Sequence, residues 1–494
     1  MRIFLEILIV IIIINTVIAT ITVFHRPRNI TSTLAWLLAL FMLPVVGFIL
    51  YAFLGRGIAE ENIFDISHQE HIGLARIKHM ILSDNRREKH QYDPNSTTHR
   101  AKLLIHYFNS AEDAPLSKRN RVKIFTDGKE KFAALFDDIQ RAQETVHVEY
   151  YSFFNDDIGN EFLNLLTEKA KEGLEVRLVY DPWGSPKANK RWFKDFEAAG
   201  GQVTSFITSQ NLIAKTRLNY HLHRKVVVID GLISWTGGFN VGDQYLGRSE
   251  KFGYWRDTHI RIIGTASSSL QERFIMDWNA SIRNEAKKVA YNDKYFKTAT
   301  SELSETDSDT CGNSSIQVVS DGPDTQEEIL KGGTVRAILA AKKSILIQTP
   351  YLIPDESIIN ALMVAARSGI TIKIMIPQMP DHPFIYRATQ YYANFLHQFG
   401  IELYIYNNGF LHAKTLVIDD EFCSVGSMNQ DFRSYGLNFE CNTYIYDRSV
   451  SHELTEIFYQ DMAVSTLLTD EIIENQGHWL KFKQYFSRLL SPIL

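Results

Sequence analysis

Cysteine is scarce in this chain of 494 residues, which has only three, at positions 311, 423 and 441. An odd and widely spaced set provides neither a disulfide framework nor the paired spacing of a zinc site. Cys423 and Cys441 lie in apolar, strand-like runs, and a free cysteine packs as a small apolar residue. We therefore expect both side chains to be buried.

A net positive charge is also lacking. The chain has 52 Lys and Arg residues against 57 Asp and Glu residues, a formal net charge of −5. Nucleic-acid binding depends on phosphate neutralisation by a basic surface, so this balance argues against a nucleic-acid substrate. The sequence has no Walker loop and no Asp-Gly-x2-Ala-Arg signature, which argues against a nucleotide-activated donor.

Hydrophobic residues are concentrated in two runs near the N-terminus, Ile3–Phe24 and Thr33–Leu54. Each is long enough to cross the hydrocarbon core of a bilayer, and Glu6 is the only charged residue in the first. A cleaved signal peptide followed by a buried helix is the alternative, but the first run exceeds the apolar region of a signal peptide. We predict a transmembrane hairpin over residues 1–56, with spans of about 3–24 and 33–54.

The eight-residue linker His25–Ser32 places the N-terminus and the rest of the chain on the same side of the membrane. Basic residues are almost balanced between the linker and the flanking segments, so the positive-inside rule gives little direction. We expect a multi-pass protein of the cell membrane with its main part on the cytoplasmic face. Residues 57–120 are polar, with helical patches and no strand signal, and are interpreted as a juxtamembrane connector.

From Val122 onward, short β-branched runs alternate with helical patterns, which predicts a mixed α/β sheet with helices on its faces. The expected elements of residues 121–299 are strands Val122–Phe125, Thr145–Phe154 and Leu174–Tyr180, and helices Glu130–Gln143 and Glu161–Lys171. Residues 300–315 are rich in Ser, Thr, Asp and Glu and are interpreted as a linker. The same order returns in residues 316–475 as strands Gln317–Ser320, Ser344–Tyr351 and Ile370–Ile376, and helices Glu327–Ala341 and Ile358–Ala366.

The two halves also align residue by residue, which indicates an internal duplication. Asp127-Gly128 matches Asp321-Gly322, and Ala142–Asp156 matches Ala341–Asp355. We therefore predict two related α/β domains after the hairpin.

One motif occurs once in each half, at matching places. The first copy is His223-x-Lys225-x4-Asp230, followed by Gly237-Gly238-x-Asn240; the second is His412-x-Lys414-x4-Asp419, followed by Gly426-Ser427-x-Asn429. Between Lys and Asp each copy is apolar, which predicts a strand buried on both faces. Two facing copies supply two imidazoles and two ammonium groups, enough to open a phosphodiester without a metal.

The motif pair resembles the His-Lys-Asp motif of the phospholipase D superfamily, over about Val122–Leu467. More narrowly, the hairpin, Phe252–Asp257, Gln348–Tyr351 and the C-terminal Leu490–Leu494 look like bacterial cardiolipin synthases of the phospholipase D type. The resemblance implies a duplicated phospholipase D-like fold, transfer through a phosphatidyl-histidine, and no metal or other cofactor. The implied substrate is phosphatidylglycerol in an anionic membrane.

By this resemblance His223 attacks phosphorus and His412 is the general acid and then the base. The proposed supporting roles are phosphoryl binding by Lys225, Lys414, Asn240 and Asn429, although an Asn can also pin its own turn. Asp230 and Asp419 complete the motif and are expected to brace the fold, since they lie a strand's length away. A hydrolase that releases phosphatidic acid and a catalytically dead membrane scaffold are the alternative functions.

Two further carboxylates, Asp257 and Glu440, follow the motif tails by 17 and 11 residues. A carboxylate on the second ring nitrogen of a histidine fixes its tautomer and favours its charged form. The resemblance supports this role, with pairing across the two halves as one option; ordinary surface acids are the alternative. His221 could form a His-x-His metal pair with His223, but no third ligand is near, so a loop position is the preferred interpretation.

The C-terminal segment 476–494 has aromatic and aliphatic residues at helical spacing, at Trp479, Phe482, Phe486 and Leu489. Lys481, Lys483 and Arg488 lie among them. One interpretation is an interfacial helix on anionic lipid. The other, which is the commoner role of such a row, is a helix whose aromatic face packs into the core.

Overall fold

A computed structural model describes residues 96–112, 114–206, 220–282, 284–297, 312–325 and 327–491, together with six isolated residues nearer the N-terminus. The six are helical: Ile13, Val17, Ile21, Leu37, Leu38 and Met42. The predicted spans, apart from these residues, lie outside the described part of the chain, as do Cys311 and most of the predicted connector and linker. Within the described part, no helix is both long and apolar enough for a membrane crossing.

Apart from those six residues and Tyr220, the described residues belong to one compact unit. Its strands are β1 (Ser117–Phe125), β2 (Thr145–Tyr150), β3 (Glu175–Tyr180), β4 (Gln202–Ser205), β5 (His221–Leu222), β6 (Lys225–Ile229), β7 (Ile233–Gly237), β8 (Trp255–Arg256), β9 (His259–Ile263), β10 (Ser314–Asp321), β11 (Ser344–Gln348), β12 (Leu352–Ile353), β13 (Thr371–Pro377), β14 (Glu402–Tyr406), β15 (Phe410–Leu411), β16 (Thr415–Ile418), β17 (Phe422–Gly426), β18 (Gln430–Asp431), β19 (Asn438–Tyr446) and β20 (Ser465–Leu467).

The helices of this unit are α1 (Thr97–Arg100), α2 (Lys102–Ala111), α3 (Gly128–Gln140), α4 (Asp157–Lys171), α5 (Lys194–Ala198), α6 (Ala266–Ser281), α7 (Ile329–Ile338), α8 (Glu356–Arg367), α9 (Pro383–His397), α10 (Phe432–Gly436), α11 (Arg448–Ala463), α12 (Asp470–Glu474) and α13 (His478–Leu489). Asp127, Asp156 and Asp355 begin α3, α4 and α8 by accepting bonds from the free backbone N–H groups of the first turn.

One mixed sheet runs through both halves. Its order is β4-β3-β2-β6-β7-β9-β1-β10-β19-β17-β16-β11-β13-β14-β20, with β5 paired to β19. The antiparallel pair β1–β10 lies in the middle, and the pattern on either side is the same: β2 is parallel to β3 and antiparallel to β6, as β11 is to β13 and β16. The structure therefore confirms the predicted duplication.

Helices cover both faces of the sheet, as predicted. In β6, Val227 and Ile229 pack with residues of α3 and α4, whereas Val226 and Val228 pack on the opposite face with residues of α6 and α11. This alternation follows from the period of two along a strand. Both motif strands are buried on each face, as their apolar runs predicted.

Four strand boundaries differ from the prediction by three or more residues: the starts of β1 and β10 and the ends of β2 and β11. β10 begins at Ser314 rather than Gln317, inside the predicted linker 300–315. β1 begins at Ser117 rather than Val122, so the segment predicted as a connector without strands extends into the sheet. Its first residues are largely charged, and Arg119 has a positive φ of 56° where the pairing register with β10 shifts, so the strand has no regular alternation. β2 and β11 end at Tyr150 and Gln348, earlier than predicted, because the chain then leaves the sheet toward the motif residues.

Cys423 and Cys441 are free and buried, as predicted. The prediction that the C-terminal aromatic row packs into the core is wrong. Trp479, Phe482, Phe486 and Leu489 of α13 are exposed, and the buried residues of that helix are Gln484 and Ser487. The polar face of α13 is the one that docks on α9.

Candidate active site

The two motif histidines share one site, where the lysine of each motif acts on the pKa of the other motif's histidine. They are brought there because each is bonded through its backbone to the other half of the chain. His223 follows β5, which pairs with β19, and its N–H donates to the Phe439 carbonyl oxygen at 2.9 Å. His412 follows β15, which pairs with β8, and its N–H donates to the Arg256 carbonyl oxygen at 2.7 Å. This reciprocal crossing brings two motifs 189 positions apart to one place.

The His223 ring is held by a carboxylate from the second half. Its Nδ1 lies 2.9 Å from both carboxylate oxygens of Glu440. Burial alone raises the pKa of Glu440, but His223, Lys225 and Ser427 hold it below its ordinary value. An ionised carboxylate only accepts, so Nδ1 carries the ring proton and Nε2 keeps its lone pair.

Glu440 itself is fixed by neutral donors. It accepts bonds from Ser427 Oγ at 2.5 Å, Ser434 Oγ at 2.9 Å and Asn438 Nδ2 at 3.3 Å. Behind it, the buried Arg224 side chain donates to the Glu440 backbone carbonyl at 3.1 Å. The carboxylate is therefore positioned from several directions before any substrate binds.

The His412 ring has the reciprocal partner from the first half. Its Nδ1 lies 2.6 Å from Asp257 Oδ2, and the Thr258 N–H donates to Asp257 Oδ1 at 2.8 Å. Burial alone raises the pKa of Asp257, but Lys414 and His412 hold it below its ordinary value. Asp257 therefore accepts from His412, and Nε2 is again the free ring nitrogen.

The two lysines lie beside the rings. Lys225 Nζ donates to the His223 carbonyl oxygen at 2.6 Å, and Lys414 Nζ donates to the His412 carbonyl oxygen at 2.5 Å. Lys414 Nζ is also 2.8 Å from His412 Nδ1, a charge contact because that nitrogen already donates to Asp257. Burial lowers the pKa of Lys225 to about 7 and that of Lys414 to about 8.

Burial also sets the charge of both rings in the free protein. It lowers the pKa of His223 and of His412 to about 4, and in each the adjacent carboxylate opposes that effect. Both imidazoles are therefore neutral near pH 7. A neutral ring is the nucleophilic form, and an anion bound between the rings raises the pKa of each, because a nearby negative charge favours the imidazolium.

The motif aspartates act on the backbone, away from the rings. Asp230 accepts from the N–H groups of residues 143, 144 and 145 at 2.8 Å each, and Asp419 accepts from those of residues 342, 343 and 344 at 2.6–2.9 Å. Both have a positive φ, 51° and 56°. Each carboxylate ties the turn after its motif strand to the start of β2 or β11, which is the bracing role.

The two predicted phosphoryl-binding asparagines differ in how far the protein itself satisfies them. Asn240 Oδ1 accepts from the Ser152 N–H at 3.2 Å, and its Nδ2 donates to the Tyr245 hydroxyl at 3.1 Å. Asn429 lowers the pKa of the nearby Asp431 carboxyl, while its own Oδ1 is buried without a hydrogen-bond partner among the described residues. The bonds of Asn240 agree with the turn-pinning interpretation.

His221 and His223 both lie against the Tyr151 ring, but His221 faces a different carboxylate from that of His223. Its ring is 5.7 Å from that of Tyr151, and its Nδ1 is 3.8 Å from Asp181 Oδ2. Over the described ranges, no three His, Cys, Asp or Glu side chains are arranged as a metal site.

Several site residues were missed by sequence reasoning. Three of them, Ser427, Ser434 and Asn438, donate hydrogen bonds to Glu440. Arg224 and Arg256 are buried behind the two carboxylates. The Tyr151 ring lies 5.1 Å from that of His223, and the Trp255 ring lies 5.2 Å from that of His412. Ser427 lies inside the second motif tail, where the first motif has Gly238. This difference between the two copies is the one feature of the sequence that could have indicated a separate role for Ser427.

Comparison with known proteins identifies the family. A family model described as cardiolipin synthase, phospholipase D-like domain, matches residues 135–278 and 334–462, and a phospholipase D-nuclease N-terminal model matches residues 7–56. A cardiolipin synthase of Listeria innocua is 44% identical over 488 residues, covering 99% of this chain and 98% of the relative. This chain belongs to the phospholipase D-type cardiolipin synthase family.

Other members of the family are similarly related to the chain. The major cardiolipin synthase of Bacillus subtilis is 43% identical over 482 residues, 98% of each chain. Among solved structures, phosphatidylserine synthase of Haemophilus influenzae aligns with a TM-score of 0.60 over 79% of this chain and 100% of that one. At 15% identity this last likeness establishes the fold alone.

Proposed function

We propose that this chain makes cardiolipin by transferring a phosphatidyl group from one phosphatidylglycerol to another, with release of glycerol. Sequence identity of 43–44% over nearly the whole chain to cardiolipin synthases supports the activity. The structural observation that carries the mechanism is the reciprocal pairing of His223 with Glu440 and of His412 with Asp257. The pairing leaves Nε2 of each ring free to react, and burial keeps both rings neutral near pH 7.

In the first step, Nε2 of His223 forms a bond to the phosphorus of one phosphatidylglycerol. The bond between phosphorus and the headgroup glycerol oxygen breaks, and that oxygen takes a proton from Nε2 of His412. Glu440 stabilises positive charge as it develops on the His223 ring. His412 acquires the proton that it donates when the anionic phosphodiester binds and raises its pKa.

In the second step, a headgroup hydroxyl of another phosphatidylglycerol attacks the phosphohistidine. The new oxygen–phosphorus bond replaces the nitrogen–phosphorus bond, and the hydroxyl proton passes to the now neutral His412. Cardiolipin leaves, and His412 then releases the proton that it holds, so both rings return to their neutral starting state.

Lys225 and Lys414 supply the cations for the phosphoryl oxygens. Their burial makes each ammonium more effective on a nearby anion than it is in water. In the free protein both ammonium groups are held by histidine carbonyl oxygens, which orients them before substrate arrives. Only the charged forms stabilise the transition state, so their lowered pKa values limit activity at alkaline pH.

The protein is proposed to reside in the cell membrane as a multi-pass protein, with the catalytic unit on the cytoplasmic face. Support comes from the two apolar runs, 3–24 and 33–54, and from the match of residues 7–56 to an N-terminal family model. A lipid substrate is consistent with such an anchor.

Product analysis tests the reaction. The full-length protein, purified in detergent and reconstituted with phosphatidylglycerol labelled in its headgroup glycerol, is expected to release labelled glycerol and to form cardiolipin in equal amounts. Release of labelled glycerol with phosphatidic acid and no cardiolipin indicates a hydrolase. No turnover of labelled lipid contradicts both activities.

A further inference from the structure

The helix α13 presents an apolar face to solvent. The aromatic row, defined here as Trp479, Phe482, Phe486 and Leu489, is 69%, 55%, 47% and 74% exposed. The rings of Trp479 and Phe482 stack at 5.3 Å, and those of Phe482 and Phe486 at 6.4 Å. The row is thus one continuous ridge of ring faces along the helix.

The opposite face of α13 fastens the helix to α9 mainly through polar contacts. Gln484 and Ser487 are buried, and Asn394 Nδ2 donates to Gln484 Oε1 at 3.3 Å. Tyr485, which is 58% exposed beside the row, reaches α9 by meeting Tyr391 edge-on at 5.6 Å. The orientation of the helix is therefore set by its docking face, and the aromatic row is directed outward by that docking.

The charged residues of α13 itself are all basic, and the nearest acids in sequence are on the preceding helix, α12. Residues 475–494 contain no Asp or Glu. At 100° per residue, Lys481 and Lys483 lie on the two flanks of the row, between the exposed and the docked faces. Long basic side chains at such flanks extend their charged ends to the level of lipid headgroups while the apolar face enters the membrane.

The same helix α9 also borders the active site. It begins at Pro383, two residues after Asp381, which accepts a hydrogen bond from Tyr351 and whose charge acts on the pKa of Lys414. Phe384, in its first turn, is 50% exposed. Helix α9 therefore extends from the border of the active site to the helix that carries the aromatic row.

We propose that α13 is an interfacial helix that lies on an anionic phospholipid bilayer and fixes the height of the catalytic unit above it. Charge identifies the bilayer as the partner of this face. Three aromatic rings and a leucine, flanked by lysines on a helix without acidic residues, match the apolar interior and the anionic headgroups of such a bilayer. This proposal depends on the proposed function in one respect only: that function is what brings anionic lipid to the active site.

Quenching of Trp479 fluorescence tests this placement. Full-length protein and its Trp479→Phe variant are reconstituted in phosphatidylglycerol vesicles with and without lipids brominated on the upper acyl chain. The difference in fluorescence between the parent protein and the variant is the signal of Trp479. This signal is expected to be quenched in the brominated vesicles. Absence of quenching from that signal overturns the proposal and indicates that another segment or partner covers the row.

Activity separates an interfacial role from a structural one. The triple variant Trp479→Ser, Phe482→Ser, Phe486→Ser is compared with a matched control, Leu339→Ser with Val364→Ser, which removes apolar side chains 51% and 57% exposed elsewhere. On bilayer phosphatidylglycerol the triple variant is expected to lose about tenfold or more in activity, because interfacial binding scales with buried apolar area. On monomeric short-chain phosphatidylglycerol both variants should match the parent protein.

Three outcomes contradict the interfacial role. Equal bilayer activity in both variants shows that the row is not used. A lower thermal unfolding temperature in detergent together with lost short-chain activity shows a structural role. A change of oligomeric state in the triple variant shows that a second copy covers the row. Failure of the parent protein on short-chain substrate concerns the proposed function instead, because the quenching result does not depend on turnover.

Discussion

The two halves of the active site share one scaffold but hold their histidines differently. In the half-site of His223, the longer carboxylate side chain of Glu440 contacts the ring and also accepts hydrogen bonds from Ser427, Ser434 and Asn438. In the other, the shorter Asp257 meets His412 at 2.6 Å, with a backbone N–H as its other donor. Duplication supplied the same strand, lysine and bracing aspartate twice, and the surroundings of the carboxylates then diverged.

One pair of matched residues accounts for much of this divergence. A Cβ at Gly238 falls 1.9 Å from Asp257 Oδ1, so that carboxylate occupies the space that a side chain needs. The matching residue in the second half is Ser427, whose hydroxyl donates to Glu440. Both rings nevertheless have pKa values lowered to about 4, so this divergence does not by itself distinguish their roles. The proposed roles, nucleophilic attack by His223 and acid–base catalysis by His412, follow the phospholipase D resemblance.

Removing either ring has the largest expected effect. His223→Ala and His412→Ala should each lower cardiolipin formation by about 10⁴-fold or more, because nucleophilic and acid–base steps each depend on one ring. The assay is conversion of labelled phosphatidylglycerol by reconstituted protein. His221→Ala, two residues from the nucleophile, is the control and should stay within about tenfold of the parent protein, since it bonds neither ring. Near-normal turnover in either motif variant contradicts the assignment.

Exchanging the paired residues probes the difference between the half-sites. Gly238→Ser should displace Asp257 from His412 and lower kcat by about 10²-fold or more, as loss of an orienting carboxylate does. Ser427→Gly removes one of three neutral donors to Glu440, worth about 1.5 kcal/mol at the lower end for a bond to a charged group, and should lower kcat about tenfold. Steady-state kinetics of the two variants at one protein concentration make the comparison. Equal losses from the two changes contradict the proposed divergence.

The local features of this site could be predicted from sequence, and the pairing between its halves could not. The motif strands, their burial and the bracing aspartates follow from short patterns of residues. The contacts His223–Glu440 and His412–Asp257 join residues 217 and 155 positions apart, and no local pattern specifies which half provides each carboxylate. Asn240 shows the same limit, because its turn was predictable and its bonds to Ser152 and Tyr245 were not.

Helix α13 shows a second limit of pattern reading. The spacing of Trp479, Phe482 and Phe486 predicted the helix and its apolar face correctly. Periodicity shows that one face is apolar but not what lies against it, and an apolar face packs on protein in most soluble folds. Here the buried residues are Gln484 and Ser487. Gln484 bonds Asn394 of α9, 90 positions away, and Gln476 just before α13, and neither contact is marked by apolar spacing.

The pH dependence of kcat/KM should reflect the lysines on its alkaline side. Both must be charged to hold phosphoryl oxygens, and their pKa values are lowered by burial to about 7 and about 8. kcat/KM should therefore fall as pH rises through this range, by up to about tenfold per pH unit for each group. With histidine pKa values of about 4, little loss is expected between pH 7 and pH 5. A flat profile to pH 10 contradicts buried, titrating lysines.

The smallest effect on turnover is expected at the bracing aspartates. Asn tolerates positive φ, so Asp230→Asn and Asp419→Asn remove the charge without new backbone strain. Each should lower the free energy of unfolding by about 1 kcal/mol through weakened bonds to three N–H groups, with kcat nearly unchanged. Denaturant unfolding in detergent, paired with kinetics, checks both values. A large loss of kcat with unchanged stability indicates direct contact with substrate.

The most direct test of the asymmetry is to identify which histidine carries the phosphatidyl group. A phosphatidyl ester of p-nitrophenol needs no protonated leaving group, so the first step can proceed without His412. The His412→Ala variant should release a burst of about one equivalent of nitrophenolate and retain labelled lipid on His223, located by peptide mapping after rapid denaturation. His223→Ala should give neither burst nor label. Label on His412 in the parent protein, or a burst from His223→Ala, contradicts the assigned roles.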